Sequence, residues 1–216
     1  MSLAVQRGIA IVVAAPSGAG KTTVCRRLVE DDAKLVLSVS HTTRPRRARE
    51  VESVDYHFVS RPEFERLITA GAFLEWAEYS GNLYGTSWAS IEAPLGAGRD
   101  VLLEIEVQGA RQVRARLPEA LLVFLIPPSL GALEARLRTR GTDGPEEIER
   151  RLAIARRELA ALDLFDYAVV NDELSDAVER LRGIVAAERA GAPHALRERY
   201  APKKLAPELR RALGVG

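Results

Sequence analysis

The chain predicts an α/β fold in three layers around a mainly parallel sheet, and three observations carry that expectation. Short β-branched or aliphatic runs alternate with segments of helical periodicity. The runs are apolar at successive positions, as strands covered on both faces are. The first of them leads straight into "AAPSGAGKTT", Ala14 to Thr23, a glycine-rich turn that opens a helix.

Taken in order, strands are expected over Ile9–Ala14, Val101–Ile105, Leu121–Ile126 and Tyr167–Val170. Helical spacing links Leu130, Leu133 and Leu137, then Ile148, Leu152, Ala155 and Leu159, then Leu174, Ala177, Val178, Leu181, Ile184 and Val185. Residues 40–97 break the rhythm with an arginine-rich opening, "YHFV", a helix from about Arg61 under a Ser60/Glu63 capping box, then "FLEWAEY" and "GNLYGTS". This stretch reads as a small α+β insertion at the carboxyl edge of the sheet. The expected layout is a core of residues 1–39 and 98–190, an insertion over 40–97, and a tail over 191–216 that mixes Pro, Gly, Arg and Leu without a clear period.

Composition narrows the classes. Over 216 residues, 47% are hydrophobic and 28% charged, which is globular and long enough for a substantial core. Basic and acidic side chains number 31 and 30, so no global field argues for nucleic acid or a membrane surface as partner. Cys25 is the only cysteine, which rules out an internal disulfide or zinc cluster and suits a reducing compartment. The apolar run Ile9–Ala15 is too short to span a bilayer and lacks the layout of a cleavable signal peptide. A cytoplasmic protein is expected.

Gly18, Gly20, Lys21 and Thr22 fit the phosphate-loop pattern GxxxxGK(S/T) at every position but the first, where Ala15 replaces glycine. Glycines let the backbone curl so that successive N–H groups face anionic oxygens, and the following helix adds its positive end. The expected nucleotide ligands are Ala15, Pro16, Ser17, Gly18, Ala19, Gly20, Lys21, Thr22 and Thr23. Lys21 would reach the β- and γ-phosphates of ATP, and the Thr22 hydroxyl would help hold Mg²⁺. Such loops serve ATPases, GTPases, motors and small-molecule kinases alike.

The choice among these comes from "SVSHTTRPRRARE", Ser38 to Glu50, with four arginines within six residues. A run like this is often only a solvated face. Its neighbours are phenolic donors at Tyr56 and Tyr84, a carboxylate at Glu75, and the hydroxyls of "GNLYGTS". Together the blocks "APSGAGKTT", "SVSHTTR", "DYHFV", "FLEWAEYSGNLYGTS", "QGAR", "PPS", "RLRTRGTD", "RRL" and "VVND" resemble bacterial guanylate kinases, in family order from about residue 9 to 190.

The resemblance implies an ATP:GMP phosphotransferase of the P-loop NTPase type, in purine nucleotide metabolism, with Mg²⁺ and with ATP and GMP as partners. It implies that Ser40, Glu75 and Thr86 face the guanine. Guanine presents N1–H and its 2-amino group side by side, so one carboxylate accepts from both, whereas adenine offers an acceptor at N1. The acceptor phosphate would lie on Arg44, Arg47, Tyr56 and Tyr84, since guanidinium forks donate paired hydrogen bonds at every relevant pH. The family usually reads R-x-P-R-x-G-E, whereas this chain has Arg44-Pro45-Arg46-Arg47-Ala48-Arg49-Glu50, which leaves the choice between Arg46 and Arg47 open. Glu104 and Glu106 stand where aspartates are usual; the resemblance gives Glu104 to the Mg²⁺ environment through water and Glu106 to the guanine side.

Arg136 and Arg140 lie one helical turn apart, and Arg151 follows the breakers Gly141, Gly144 and Pro145. In the family these arginines belong to a lid, here about residues 137–150, that closes over ATP. Two polyanions meeting need cations at the migrating group, and closure keeps water out. A phosphate monoester has a second pKa near 6, so no general base is required, and His41, His57 and His194 show no metal-ligand spacing. Asn171 in "VVND" matches the family's nucleotide-side asparagine and serves equally as a cap for the next helix. Two alternatives stand beside this reading: another nucleoside monophosphate kinase, and a non-catalytic guanylate-kinase-like module binding protein ligands. A homo-oligomer is left open.

Overall fold

The computed structural model describes residues 7–79, 81–139, 144–205 and 207–214. The chain divides into two compact units, one of residues up to Val12 with Ala33–Ala120, the other of Val13–Asp32 with the residues from Leu121 onward.

In the first unit, β2 (Leu35–Leu37) pairs in parallel with β7 (Asp100–Glu104), Leu35 opposite Asp100. The Asp100 carboxylate accepts from the Ile9 N–H at 2.9 Å, and Val101 N–H donates to Ile9 O at 2.9 Å, which ties the start of β1 (Ala10–Ala14) to β7. β3 (Ser40–Thr42) lies parallel to β4 (Tyr56–Phe58) and antiparallel to β6 (Asn82–Ser87), and β6 pairs antiparallel with β5 (Phe73–Tyr79). This sheet runs β4-β3-β6-β5, so β5 is an edge. Helix α2 (Arg61–Thr69) begins as the sequence predicts, with Ser60 Oγ accepting from Glu63 N–H at 3.3 Å. Phe64, Phe73 and Leu83 form its core, with Trp76 packed against them. Ser87 caps α3 (Trp88–Gly96), and α4 (Val107–Arg116) follows β7.

In the second unit, α1 (Lys21–Asp31) follows the glycine-rich turn. β8 (Leu121–Ile126), buried at every position, pairs in parallel with β9 (Tyr167–Val170). Each large aliphatic side chain so buried contributes about 1.5–3 kcal/mol. Helices α5 (Leu130–Thr139) and α6 (Pro145–Leu159) join through Leu133, Leu137, Ile148, Leu152 and Ala155, the residues their spacing singled out. Within this unit β8 and β9 are neighbours in the sheet, with β9 at its edge.

The tail has a definite place. Glu188, on α7 (Leu174–Arg189), accepts from the Tyr167 hydroxyl at 2.7 Å and from Arg197 at 2.8 and 3.0 Å, where Arg197 belongs to α8 (His194–Arg199). Those contacts push the Arg197 pKa up, the hydrogen bond to Glu188 being the main cause. Ala168 N–H donates to Tyr200 O at 2.8 Å, giving edge strand β9 a backbone partner. Leu213, in α9 (Pro207–Leu213), is buried.

Candidate active site

The glycine-rich turn of the second unit has the backbone that its sequence requires. Gly18 and Gly20 have φ of 94° and 88°, left-handed values that favour glycine, and Ala19 N–H closes a turn onto Pro16 O at 2.9 Å. Space matters at both positions as well. A Cβ on Gly18 would stand 2.9 Å from the Leu137 side chain, and one on Gly20 would stand 2.7 Å from Asn171 Nδ2. Ala15, by contrast, has no left-handed backbone, which accounts for alanine at the first position of the pattern.

Gly18, Gly20 and Thr23 line a cavity of about 500 Å³ together with Arg136, Asn171, Asp172 and Leu174. Lys21 and Thr22 form the first turn of α1 beside it. Asn171 is buried, and its Nδ2 donates to Ala19 O at 2.6 Å, so it braces the loop. The helix-cap reading of Asn171 does not hold, because α7 begins at Leu174 and its capping position is Glu173. Arg136 donates to Asn171 O at 3.0 Å and Asp172 O at 3.2 Å. Arg151 is on α6, 3.7 Å from Glu147, and is not among the residues lining this cavity. Arg140 and most of the turn expected to carry the lid, residues 140–143, lie outside the described residues.

The first unit holds a second cavity, of about 220 Å³, lined by Ser40, Tyr56, Glu75, Tyr84, Glu104, Glu106 and Gly109 among others. Strand alternation explains the membership: Ser40 and Tyr56 are paired in register on β3 and β4, and Glu75, Ala77 and Tyr79 follow at every second position of β5. Glu75 is only 4% exposed. Its Oε1 accepts from Thr86 N–H at 2.9 Å, and Ser40 Oγ and Thr86 Oγ1 lie 3.1 Å apart. The Glu75 carboxylate and the Ser40 hydroxyl thus face one small space, while Thr86, fully buried and not among the lining residues, stands behind both. Glu104 ends β7 and Glu106 immediately precedes α4, so both reach the same cavity although only the first is in the strand.

Arg44 stands against the Tyr56 ring, 5.5 Å from its centroid. Its guanidinium makes a fork to Glu50, at 2.7 and 3.1 Å, and Glu50 also accepts from Arg47 N–H at 2.8 Å. The Arg44 hydrogen bond is the main cause that holds Glu50 below the usual carboxylate range, and the same bond raises Arg44. Arg46 and Arg47 are exposed. Arg49 has no left-handed backbone, so glycine is not required there. Sequence reasoning missed Glu50 as the partner of Arg44, and missed Gly109, Asp172 and Leu174. The acid at Glu50 was visible in the motif, but nothing in the spacing said that it folds back on Arg44.

The guanylate kinase family profile matches residues 7–188. The chain is similar to the guanylate kinase of Dechloromonas aromatica (strain RCB), 53% identical over 180 residues covering 83% of this chain and 89% of that protein. It is similar to the guanylate kinase of Enterococcus faecalis, 48% identical over 184 residues covering 85% of this chain and 90% of that protein. The crystal structure of guanylate kinase from Anaplasma phagocytophilum superposes with a TM-score of 0.69 at 33% identity, covering 85% of this chain and 87% of that one. The parallel sheet and its phosphate loop are of the P-loop NTPase type. The chain belongs to the guanylate kinase family.

Proposed function

We propose that the protein is a guanylate kinase that transfers the γ-phosphate of ATP to GMP, giving GDP and ADP. The observation that carries this reading is the buried Glu75 carboxylate, fixed by Thr86 N–H in a cavity it shares with Ser40, whose hydroxyl lies 3.1 Å from that of Thr86. Adjacent N1–H and 2-amino donors of guanine match it, and adenine leaves it mispaired; sites built on hydrogen bonds reject such analogues by about 10⁴-fold or more.

In this reading Arg44, Tyr56 and Tyr84 receive the acceptor phosphate, and an incoming dianion takes over the Arg44 fork that Glu50 otherwise occupies. Arg47 supplies a further cation, and Glu106 stands at the base. At the other substrate, the loop amides and Lys21 hold the β- and γ-phosphates, while Arg136, Arg140 and Arg151 offset charge on the migrating group. Asn171 lies on the ATP side through its bond to the loop. The acceptor oxygen is already ionised, so positioning and electrostatics replace a general base.

The exposed Thr22 hydroxyl on the first turn of α1 is a hard oxygen donor, and among the described residues no three His, Cys, Asp or Glu side chains gather as a metal cluster. That donor set fits Mg²⁺, which keeps most of its water and binds largely through phosphates. Held by Thr22, Mg²⁺ would neutralise charge on the β- and γ-oxygens. No described helix is long and apolar enough to cross a membrane. We place the enzyme in the cytoplasm, which the single free thiol, Cys25, suits.

The test is ADP release from ATP with GMP, AMP, UMP or TMP as acceptor. Turnover on GMP alone is expected. Turnover on AMP equal to that on GMP would refute the role of Glu75. Lys21→Met should abolish transfer with the fold retained, and an active variant would show the loop to be misassigned.

A further inference from the structure

Glu75 occupies its cavity because β5 breaks its own alternation. In a regular strand Phe73 and Glu75 share a face, and Trp76 takes the opposite one. Here Phe73 and Trp76 both join the apolar cluster with Phe64 and Leu83, while Glu75 faces the polar cavity. The register accounts for it: Phe73 pairs with Ser87 but Glu75 with Thr86, so Leu74 is an extra residue on β5. Such a bulge re-aims the side chains beyond it. Without it, the carboxylate would enter the cluster or Phe73 would leave it.

Something must hold that bulge, because β5 is an edge strand whose outer backbone groups lack a neighbouring strand. Helix α4 does so from one face. Arg116 Nη1 donates to Phe73 O at 2.9 Å and to Leu74 O at 3.0 Å, the two carbonyls of the bulge. Gln112 accepts from Trp76 N–H at 3.2 Å and donates to Trp76 O at 2.6 Å, as a paired strand would. Residues on both sides of Glu75 are thereby fixed. One turn earlier on the same face is Gly109, where a Cβ would stand 2.5 Å from Glu75 Oε2. Alanine would be the better helix former at that position, so the glycine costs α4 intrinsic stability and leaves a slot that the carboxylate fills.

We propose that α4 is the positioning element for base recognition, with Gly109, Gln112 and Arg116 holding Glu75 where it meets both donors of guanine. This rests on the reading of the protein as a guanylate kinase. The three residues touch Glu75 and its strand, so they are positioning residues, and their signature is a change in selectivity between acceptors.

The experiment compares kcat/KM for GMP and for IMP, which lacks only the 2-amino group, in the full-length wild type, Gly109→Ala and Gln112→Leu, with KM for ATP and melting temperature alongside. The wild type prefers GMP. Gly109→Ala folds, because the atom its Cβ meets is the terminal Oε2 of Glu75, and that carboxylate must shift to make room. Its GMP:IMP ratio falls about 10- to 100-fold, the scale of one hydrogen bond to a charged group, and KM for ATP does not move. Gln112→Leu lowers the same ratio with some loss of stability. A folded Gly109→Ala with the wild-type ratio would overturn the proposal at Gly109, and so would its failure to fold. Gln112→Leu then judges the clamp, and an unchanged ratio there overturns the rest. A wild type that uses GMP but does not favour it over IMP would refute the pairing of the 2-amino group with Glu75, and with it the proposal, and one inactive on GMP would refute the underlying reading.

Discussion

At the scale of single residues, the proposed function turns on two carboxylates of the first unit. Glu75→Gln replaces one of two acceptor oxygens with a donor, so kcat/KM for GMP is expected to fall about 10²-fold or more, with KM for ATP unchanged. Equal loss for both nucleotides, read from initial rates, would contradict the assignment. Glu50 does different work: it holds Arg44 when no phosphate is present. Its folded pKa is lowered from 4.5 by the Arg44 hydrogen bond. The pair therefore stabilises the fold fully above pH 4.5, and this contribution disappears as the pH falls through the lowered value. Glu50→Gln is expected to cost about 1 kcal/mol at neutral pH, or about 2–4 °C in melting temperature. Melting curves of the two proteins should converge in acid, and a gap that widens as the pH falls would contradict the pairing.

At the scale of elements, the bracing of the loop by the residue that follows β9 and the seating of the tail are the testable features. Asn171→Asp would set a carboxylate oxygen against Ala19 O, where an amide N–H now donates at 2.6 Å. A rise in KM for ATP is expected, together with a stability loss of about 1–3 kcal/mol. Titration with an ATP analogue and denaturant melts measure these separately. Removal of residues 192–216 takes away Arg197 and Tyr200, leaving Ala168 N–H on the edge of β9 without its carbonyl. The truncated chain should melt lower and associate more readily, and sedimentation velocity would detect it.

The same scale explains what the sequence discloses. Continuous apolar runs announced β8 and β9, helical spacing announced the α5–α6 pair, and Ser60 marked the start of α2. Strands β2 and β3, each three residues long, are too short to show a period. Pro94 inside α3 obscures that helix, and the six-residue α8 is too short for periodicity to reveal. The bulge at Leu74 is a matter of register between two strands, which no single stretch of sequence contains. Candidate site residues were legible where a motif carries them, as at Gly18, Lys21 and Glu75. They were hidden where a side chain acts on a distant backbone, as Gln112 and Arg116 do; the motif singled out Asn171 but not its bond to Ala19 O.

At the scale of the whole molecule, each unit carries its own cavity, one lined by the loop residues and Arg136, the other by Glu75 and the tyrosines. Hydrogen exchange should record that division. GMP is expected to slow exchange in β3, β5, β6 and the first turns of α4, and a non-hydrolysable ATP analogue to slow it from Ala15 to Thr23 and around Asn171. Protection by GMP confined to the loop would reverse the assignment of substrates to units.

Phosphorus NMR of a mixture of ATP, GMP and Mg²⁺ with the wild-type enzyme tests the central idea most directly, that one phosphoryl group passes between two separately held nucleotides. GDP and ADP are expected to appear in equal amounts, with no inorganic phosphate released. Inorganic phosphate accumulating in place of GDP would contradict it.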